Sequence, residues 1–149
     1  MKTFLVTGGA GFVGANLAIA IKKYFQNSRV IAFDNLYRKG SELNLPRLDK
    51  NGVEFLKGDV RNSQDLMIAG NVDFLIECSA EPSVLAGKTG GNDYLIQTNL
   101  QGAINCAELC RTHSASMIFI STSRVYPIHH LLNCEIRKSE KRFDFDETQ

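Results

Sequence analysis

Gly8, Gly11 and Gly14 follow a short apolar run, Thr3-Phe4-Leu5-Val6-Thr7, and the residues after them fall into a helical pattern. Strand, glycine turn and helix in that order suit a diphosphate. One glycine makes the tight turn, one lets the backbone come close to phosphate oxygens, and one lets helix and strand pack tightly. The anion would sit over the free N–H groups and positive dipole end of a helix starting near Phe12 and Val13. A second β-type run, Arg29-Val30-Ile31-Ala32-Phe33, ends in Asp34, and 34 − 14 places that carboxylate 20 residues beyond the last glycine. An acid there accepts hydrogen bonds from both hydroxyls of an adenosine ribose and repels a 2′-phosphate, so the pattern favours NAD over NADP.

The elements that must hold these groups are legible from period and punctuation. Helix one is expected from Phe12 to Phe25, with Val13, Leu17, Ala20, Ile21 and Tyr24 as its apolar face. Asn35-Leu36-Tyr37-Arg38-Lys39-Gly40 is a basic loop, either solvated or covering the adenosine end, with Asn35 and Arg38 nearest the ribose. A short helix interrupted by Pro46 follows, then strand three, Val53 to Lys57, closed by Gly58-Asp59-Val60-Arg61. Asp59 and Val60 would reach an adenine, the carboxylate taking its exocyclic amine; alternatively Asp59 caps the helix suggested from Ser63 to Ala69.

Strand four, Val72 to Cys78, has the nearly continuous apolar centre of a buried parallel strand. It leads into Ser79, Ala80 and Glu81, small or polar residues against which a nicotinamide or its phosphates can lie. Gly87 to Gly91 then reads as a lid or as an ordinary connection. Asn92 or Asp93 caps a long helix from Tyr94 to about Thr112 whose stripe is Ile96, Leu100, Ala103, Ile104, Ala107 and Cys110. Asn99 interrupts that face; it is expected to bond a neighbouring strand or loop and is grouped with the cofactor-binding residues. Strand five, Ser116 to Ile120, runs into Ser121-Thr122-Ser123, hydroxyls that would face the same crevice. Parallel strands in the order 3-2-1-4-5 with helices on both faces follow, a doubly wound three-layer α/β fold in which strand five is an edge open to self-association.

At 149 residues and 44% hydrophobic content the chain is expected to form one domain. We divide it into residues 1–128 for the dinucleotide-binding unit and 129–149 for a charged tail, hairpin or start of a substrate-binding portion. Lysine plus arginine against aspartate plus glutamate is 17 − 16, a net charge of +1, which leaves no global field for nucleic acid or an anionic membrane. No apolar run approaches a span or a signal peptide, so a cytoplasmic protein is expected. Cys78, Cys106, Cys110 and Cys134 lack C-x-x-C spacing, and His129, His130 and Cys134 lack a fourth ligand; neither a disulfide nor a metal is expected.

Taken together, Thr7-Gly8-Gly9-Ala10-Gly11-Phe12-Val13-Gly14, Asp34-Asn35-Leu36, Gly58-Asp59-Val60-Arg61, Asn99-Leu100-Gln101-Gly102 and Ser121-Thr122-Ser123-Arg124-Val125-Tyr126 resemble the extended short-chain dehydrogenase/reductase family. These are the NAD-dependent sugar epimerases and dehydratases. The runs Glu77 to Val84 and Ser121 to Ile128 look most like the CDP-paratose 2-epimerase branch, although most of the wider family has histidine at Glu77 and glycine at Pro127. The resemblance implies an isomerase of nucleotide sugars, CDP-sugars in this branch, that oxidises one sugar carbon with NAD and returns the same hydride to the other face. Thr122 matches the position whose hydroxyl bonds the reacting sugar oxygen, and Glu81 and Ser83 would border nicotinamide and sugar.

The family's general base is the tyrosine of a Tyr-x-x-x-Lys pair. Here the residues four beyond Tyr24, Tyr37, Tyr94 and Tyr126 are Ser28, Ser41, Thr98 and His130, so the pair is absent. The chain is expected to correspond to the amino-terminal part of such an enzyme and to be inactive alone. Two other readings are a non-catalytic NAD-binding module or truncated product, and a dehydratase relative. The latter is weakened at Ser123-Arg124, where dehydratases carry an acidic pair.

Overall fold

The computed structural model describes residues 1–83, 85, 86, 88, 91–122, 129 and 132–145. Five parallel strands form one sheet in the order β3-β2-β1-β4-β5, as the sequence predicts: β1 (Thr3–Thr7), β2 (Arg29–Asp34), β3 (Glu54–Lys57), β4 (Phe74–Glu77) and β5 (Ser116–Phe119). Alternation along the strands divides the core in two. Phe4, Val6, Val30, Ala32 and Ile76 face one layer of helices, while Leu5, Ile31, Phe33 and Leu75 face the other. The result is the three-layer, Rossmann-type arrangement. Register aligns Thr7 with both Phe33 and Glu77, so the carboxyl ends of β1, β2 and β4 open at one level.

Helix α1 (Phe12–Tyr24) covers the first face. Its buried side is Gly14, Ala15, Ala18 and Ile19, whereas Val13 and Tyr24 are 47% and 83% exposed and Ala20 is exposed as well, which corrects the expected apolar face. The cause is close approach. A Cβ on Gly14 would stand 2.2 Å from the Gly8 carbonyl oxygen, so only small side chains fit between helix and strand, and Leu17 and Ile21 pack from the flank.

After a 3-10 turn over Ser41–Asn44, α2 (Leu45–Lys50) carries Pro46 in its first turn, where the missing N–H has no partner to lose. Helix α3 (Ser63–Met67) is capped by Asn62, whose side chain accepts from the Gln64 N–H at 3.2 Å. The capping alternative for Asp59 is thereby corrected: Asn62 immediately precedes the helix, and the Asp59 side chain turns elsewhere.

Helix α4 (Asp93–Ile96) passes through a π-helical turn, Gln97–Gln101, into α5 (Gly102–His113). Asn92 stands at the cap position, but its side chain makes no capping bond. The buried side of α5 is Gly102, Cys106, Leu109 and Cys110, and Ile96, Leu100 and Ile104 are exposed; of the expected stripe only Cys110 lies in the core. Again a small residue decides the contact, since a Cβ on Gly102 would meet Val60 Cγ2 at 2.7 Å. Both Cys106 and Cys110 are free thiols in the core.

Strand β5 borders no further strand among the described residues, and Ile118 and Phe119 are each 55% exposed. Beyond it, β6 (Ile136–Lys138) and β7 (Phe143–Phe145) form an antiparallel hairpin, one of the forms expected for the tail. Among the described residues no helix is long and apolar enough to cross a membrane.

Candidate dinucleotide site

A cavity of about 370 Å³ opens at the carboxyl ends of the central strands. It brings together twelve of the residues singled out from the sequence: Gly8, Gly11, Phe12, Val13, Gly14, Asp34, Asn35, Arg38, Asp59, Val60, Ser79 and Ala80.

The glycine turn is built for close approach. Gly8 has φ +60°, and a Cβ there would lie 2.7 Å from the Cys78 carbonyl oxygen. Gly11 occupies the N-cap of α1, no side chain caps the helix, and its first turn holds no acidic residue. The N–H groups of Phe12 and Val13 lack intrahelical partners by geometry and face no competing carboxylate of their own turn. An anion fits that end of the helix.

Asp34 ties this turn to the loop that follows β2. Its Oδ2 accepts from the Ala10 N–H at 3.1 Å and its Oδ1 from the Leu36 N–H at 2.8 Å. Leu36 is held at φ +58°, and Asn35 Oδ1 accepts from the Tyr37 N–H at 2.9 Å, so two successive side-chain turns fix the loop that carries Arg38.

Asp59 also lines the cavity, bonded by Asn35 Nδ2 at 2.9 Å and by the Arg61 guanidinium at 2.6 and 2.9 Å. The guanidinium is the main reason its carboxyl is lowered to about 2; Asn35 and the Arg61 N–H assist, and burial opposes. Arg61 also stands 5.1 Å from the Tyr94 ring, which packs against Tyr37 at 5.0 Å. Burial pushes the Tyr94 phenol up.

Glu81 and Asn99 do not line the cavity. Each fixes the other from behind: Asn99 Oδ1 accepts from the Glu81 N–H at 2.8 Å and Nδ2 donates to the Glu81 carbonyl at 3.2 Å. That is the loop contact expected for Asn99. Glu81 Oε1 in turn accepts from the Ser83 N–H at 2.9 Å. Thr122 is exposed just past β5 and does not line the cavity. Val84, Gly87, Thr89, Gly90, Ser123 to Ile128 and His130 lie outside the described residues, so the loop read as a lid or an ordinary connection does in part, and the Tyr126–His130 spacing does too.

Sequence reasoning missed Glu77. It is 2% exposed, accepts from the Thr7 and Ser79 hydroxyls and from the Ser79 N–H at 3.0 Å, and so anchors the cavity wall from beneath. The signal was present as a carboxylate inside the apolar run of β4. Burial, with Glu77 as a second cause, pushes the neighbouring Cys78 thiol up to about 12. Tyr94, Thr98 and Pro82 also line the cavity without having been singled out.

Known proteins share the sequence pattern and the fold. Residues 4–142 match the model of the NAD dependent epimerase/dehydratase family. The chain is 34% identical over 127 residues to CDP-paratose 2-epimerase of Salmonella typhi, covering 82% of this chain and 37% of that protein. It is 29% identical over 131 residues to dTDP-D-glucose 4,6-dehydratase of Dictyostelium discoideum, covering 85% and 30%. Among solved structures, ADP-L-glycero-D-manno-heptose-6-epimerase of Helicobacter pylori superposes with a TM-score of 0.72 at 29% identity, covering 84% of this chain and 40% of that one. UDP-glucose 4-epimerase of Bifidobacterium longum, solved with NAD+ and UDP, gives 0.69 at 27% identity, covering 84% and 38%. The chain thus spans 30% to 40% of the length of these relatives. On the match across the glycine turn, all five sheet strands and the start of the hairpin, the chain belongs to the NAD-dependent epimerase/dehydratase family.

Proposed function

We propose that this chain is the NAD-holding part of a nucleotide-sugar epimerase, with a CDP-sugar as substrate and C2 as the carbon inverted. The observation that carries the reading is the single cavity in which the uncapped start of α1 and the Asp34 carboxylate meet, linked by the Ala10 N–H. The N–H groups of Phe12 and Val13 would hold the diphosphate, Asp34 and Asn35 the adenosine ribose, and Asp59 and Val60 the adenine. Arg38 would close the adenosine end. Ser79, Ala80 and Glu81, the last braced by Asn99, would border the nicotinamide half, and Thr122 would hydrogen-bond the reacting sugar oxygen.

When bound, NAD supplies the acceptor that takes a hydride from the sugar carbon and gives it back. The residues here orient that exchange. Removing the hydroxyl proton needs a base, and no Tyr-x-x-x-Lys pair exists among these 149 residues. The chain alone therefore binds but does not turn over, which is also what a non-catalytic NAD-binding module would do. The resemblance to the CDP-paratose 2-epimerase of Salmonella typhi favours the epimerase reading. We further assign residues 1–128 to the dinucleotide-binding unit and 129–149 to the approach to a substrate portion, place the protein in the cytoplasm, and expect the β5 edge to serve self-association.

Calorimetric titration tests this directly. NAD should bind, Asp34→Ala should weaken it by about tenfold, as loss of charged hydrogen bonds does, and incubation with NAD and a CDP-sugar should give no epimer. Tighter binding of NADP than NAD would overturn the cofactor assignment, and turnover by the chain would overturn the missing base.

A further inference from the structure

Arg38 is a cation at the cavity that no carboxylate among the described residues neutralises. Arg29, Arg61, Arg111 and Arg142 each lie within 2.8 Å of a carboxylate oxygen, and Arg47 donates to Asn16 Oδ1 at 2.5 Å. Arg38 lines the cavity beside Asp34 and Asn35, and its side chain has no hydrogen bond or ion pair among the described residues.

Its placement is braced from both sides. The two turns made by Asp34 and Asn35 precede it, and behind it the Arg38 carbonyl accepts from the Ser41 N–H at 3.0 Å across Gly40, which has φ +95°. A loop braced in this way, carrying an arginine to a cavity wall, costs less ordering entropy when an anion binds than a loop without such turns. Asp34, the group that would repel such an anion, already spends one oxygen on the Ala10 N–H and the other on the Leu36 N–H. These two donors hold its carboxylate and offset part of its field at the ribose.

We propose that Arg38 lets the adenosine end of this site accept a 2′-phosphate, so that the chain binds NADP as well as NAD. This inference rests on the reading of the cavity as a dinucleotide site. Asp34 serves the ribose hydroxyls when no phosphate is present, and the forked guanidinium takes the phosphate oxygens when one is. NAD remains the tighter ligand, and NADP is admitted.

Calorimetry on the whole chain with NAD, NADP, 5′-AMP and 2′,5′-ADP tests it, because the last two differ only in the 2′-phosphate. NADP should bind within about tenfold of NAD, and R38A should weaken NADP and 2′,5′-ADP at least about tenfold more than NAD and 5′-AMP, the loss of one charged fork. Arg38 is exposed and belongs to neither core cluster, so R38A should fold, and an unchanged melting temperature checks this. NADP weaker than NAD by more than about tenfold, or equal losses for both ligands in R38A, would overturn the inference while leaving the dinucleotide site standing. Failure of NAD and 5′-AMP to bind would remove the site itself.

Discussion

Asn99, on the π turn, and Glu81, on the loop after β4, are joined by a reciprocal pair of hydrogen bonds: the Asn99 side chain accepts from the Glu81 N–H at 2.8 Å and donates to its carbonyl at 3.2 Å. An inserted residue in a helix turns one side chain out of the regular ladder, and here that side chain is Asn99. The backbone behind Ser79 and Ala80 is thereby tied to a helix from another layer.

Asn99→Ala should release this loop without unfolding the domain. The two bonds are neutral and solvent-exposed, so the cost is about 1 kcal/mol. Amide exchange at Glu81 should quicken by about fivefold, the factor that energy implies. Exchange monitored by NMR checks it, and an unchanged Glu81 amide would show that the loop is held by something else.

Two glycine substitutions separate steric from conformational demand. Gly14→Ala would put a methyl 2.2 Å from the Gly8 carbonyl oxygen, a backbone atom that cannot swing aside, and should cost about 3 kcal/mol or more as α1 is forced off the glycine turn. Gly40→Ala meets no atom within 4 Å, and only its φ of +95° is strained, so about 1 to 2 kcal/mol is expected. Urea denaturation of both variants measures the difference.

Asp59 supplies a pH signature. Its carboxyl lies at about 2 in the folded chain, below the ordinary carboxylate value, chiefly because of Arg61. A depressed pKa contributes stability that is complete above the unfolded value near 4 and disappears as pH falls through about 2. The pair is partly exposed, with side-chain exposures of 33% for Arg61 and 20% for Asp59, so screening reduces the contribution to about 1 kcal/mol. Denaturation midpoints between pH 5 and pH 2 should fall less steeply in Asp59→Asn than in the unaltered chain.

The strand order was readable because each strand ends in its own turn chemistry, and the cavity was readable because its glycines and acids stand at strand ends. Helix faces were not. Hydrophobic periodicity assumes that large apolar residues point inward, yet α1 and α5 approach the sheet through Gly14, Ala15, Ala18, Gly102 and Cys106. Close packing favours small residues there, and period alone carries no information about separation. A cap is open to Asp59 as the alternative to the adenine contact because carboxylates cap helices, but Asn62, nearer in sequence, takes the Gln64 N–H. Glu77 was seen only as a departure from a family pattern, since nothing in a linear sequence brings Thr7 to its side.

Glu77 is where a change should propagate furthest. It binds the hydroxyls of Thr7, from β1, and Ser79, from the cavity wall, with no cation beside it among the described residues. Glu77→Ala would leave the Ser79 hydroxyl and N–H unpaired and the Thr7 hydroxyl with only the Ile76 carbonyl at 3.5 Å, around a void, at a cost of about 2 to 4 kcal/mol. Glu77→Gln keeps an acceptor and can be matched by rotating the hydroxyls, so about half that is expected. Glu77→Met combined with Thr7→Val and Ser79→Ala removes both sides of most of the network and should recover much of the Glu77→Ala loss, a non-additivity that denaturation of the series measures. In Glu77→Gln the Cys78 thiol also loses the second of the two causes holding it near 12, and should react with iodoacetamide faster at pH 9 than in the unaltered chain, while burial, the larger cause, keeps it slower than a free cysteine.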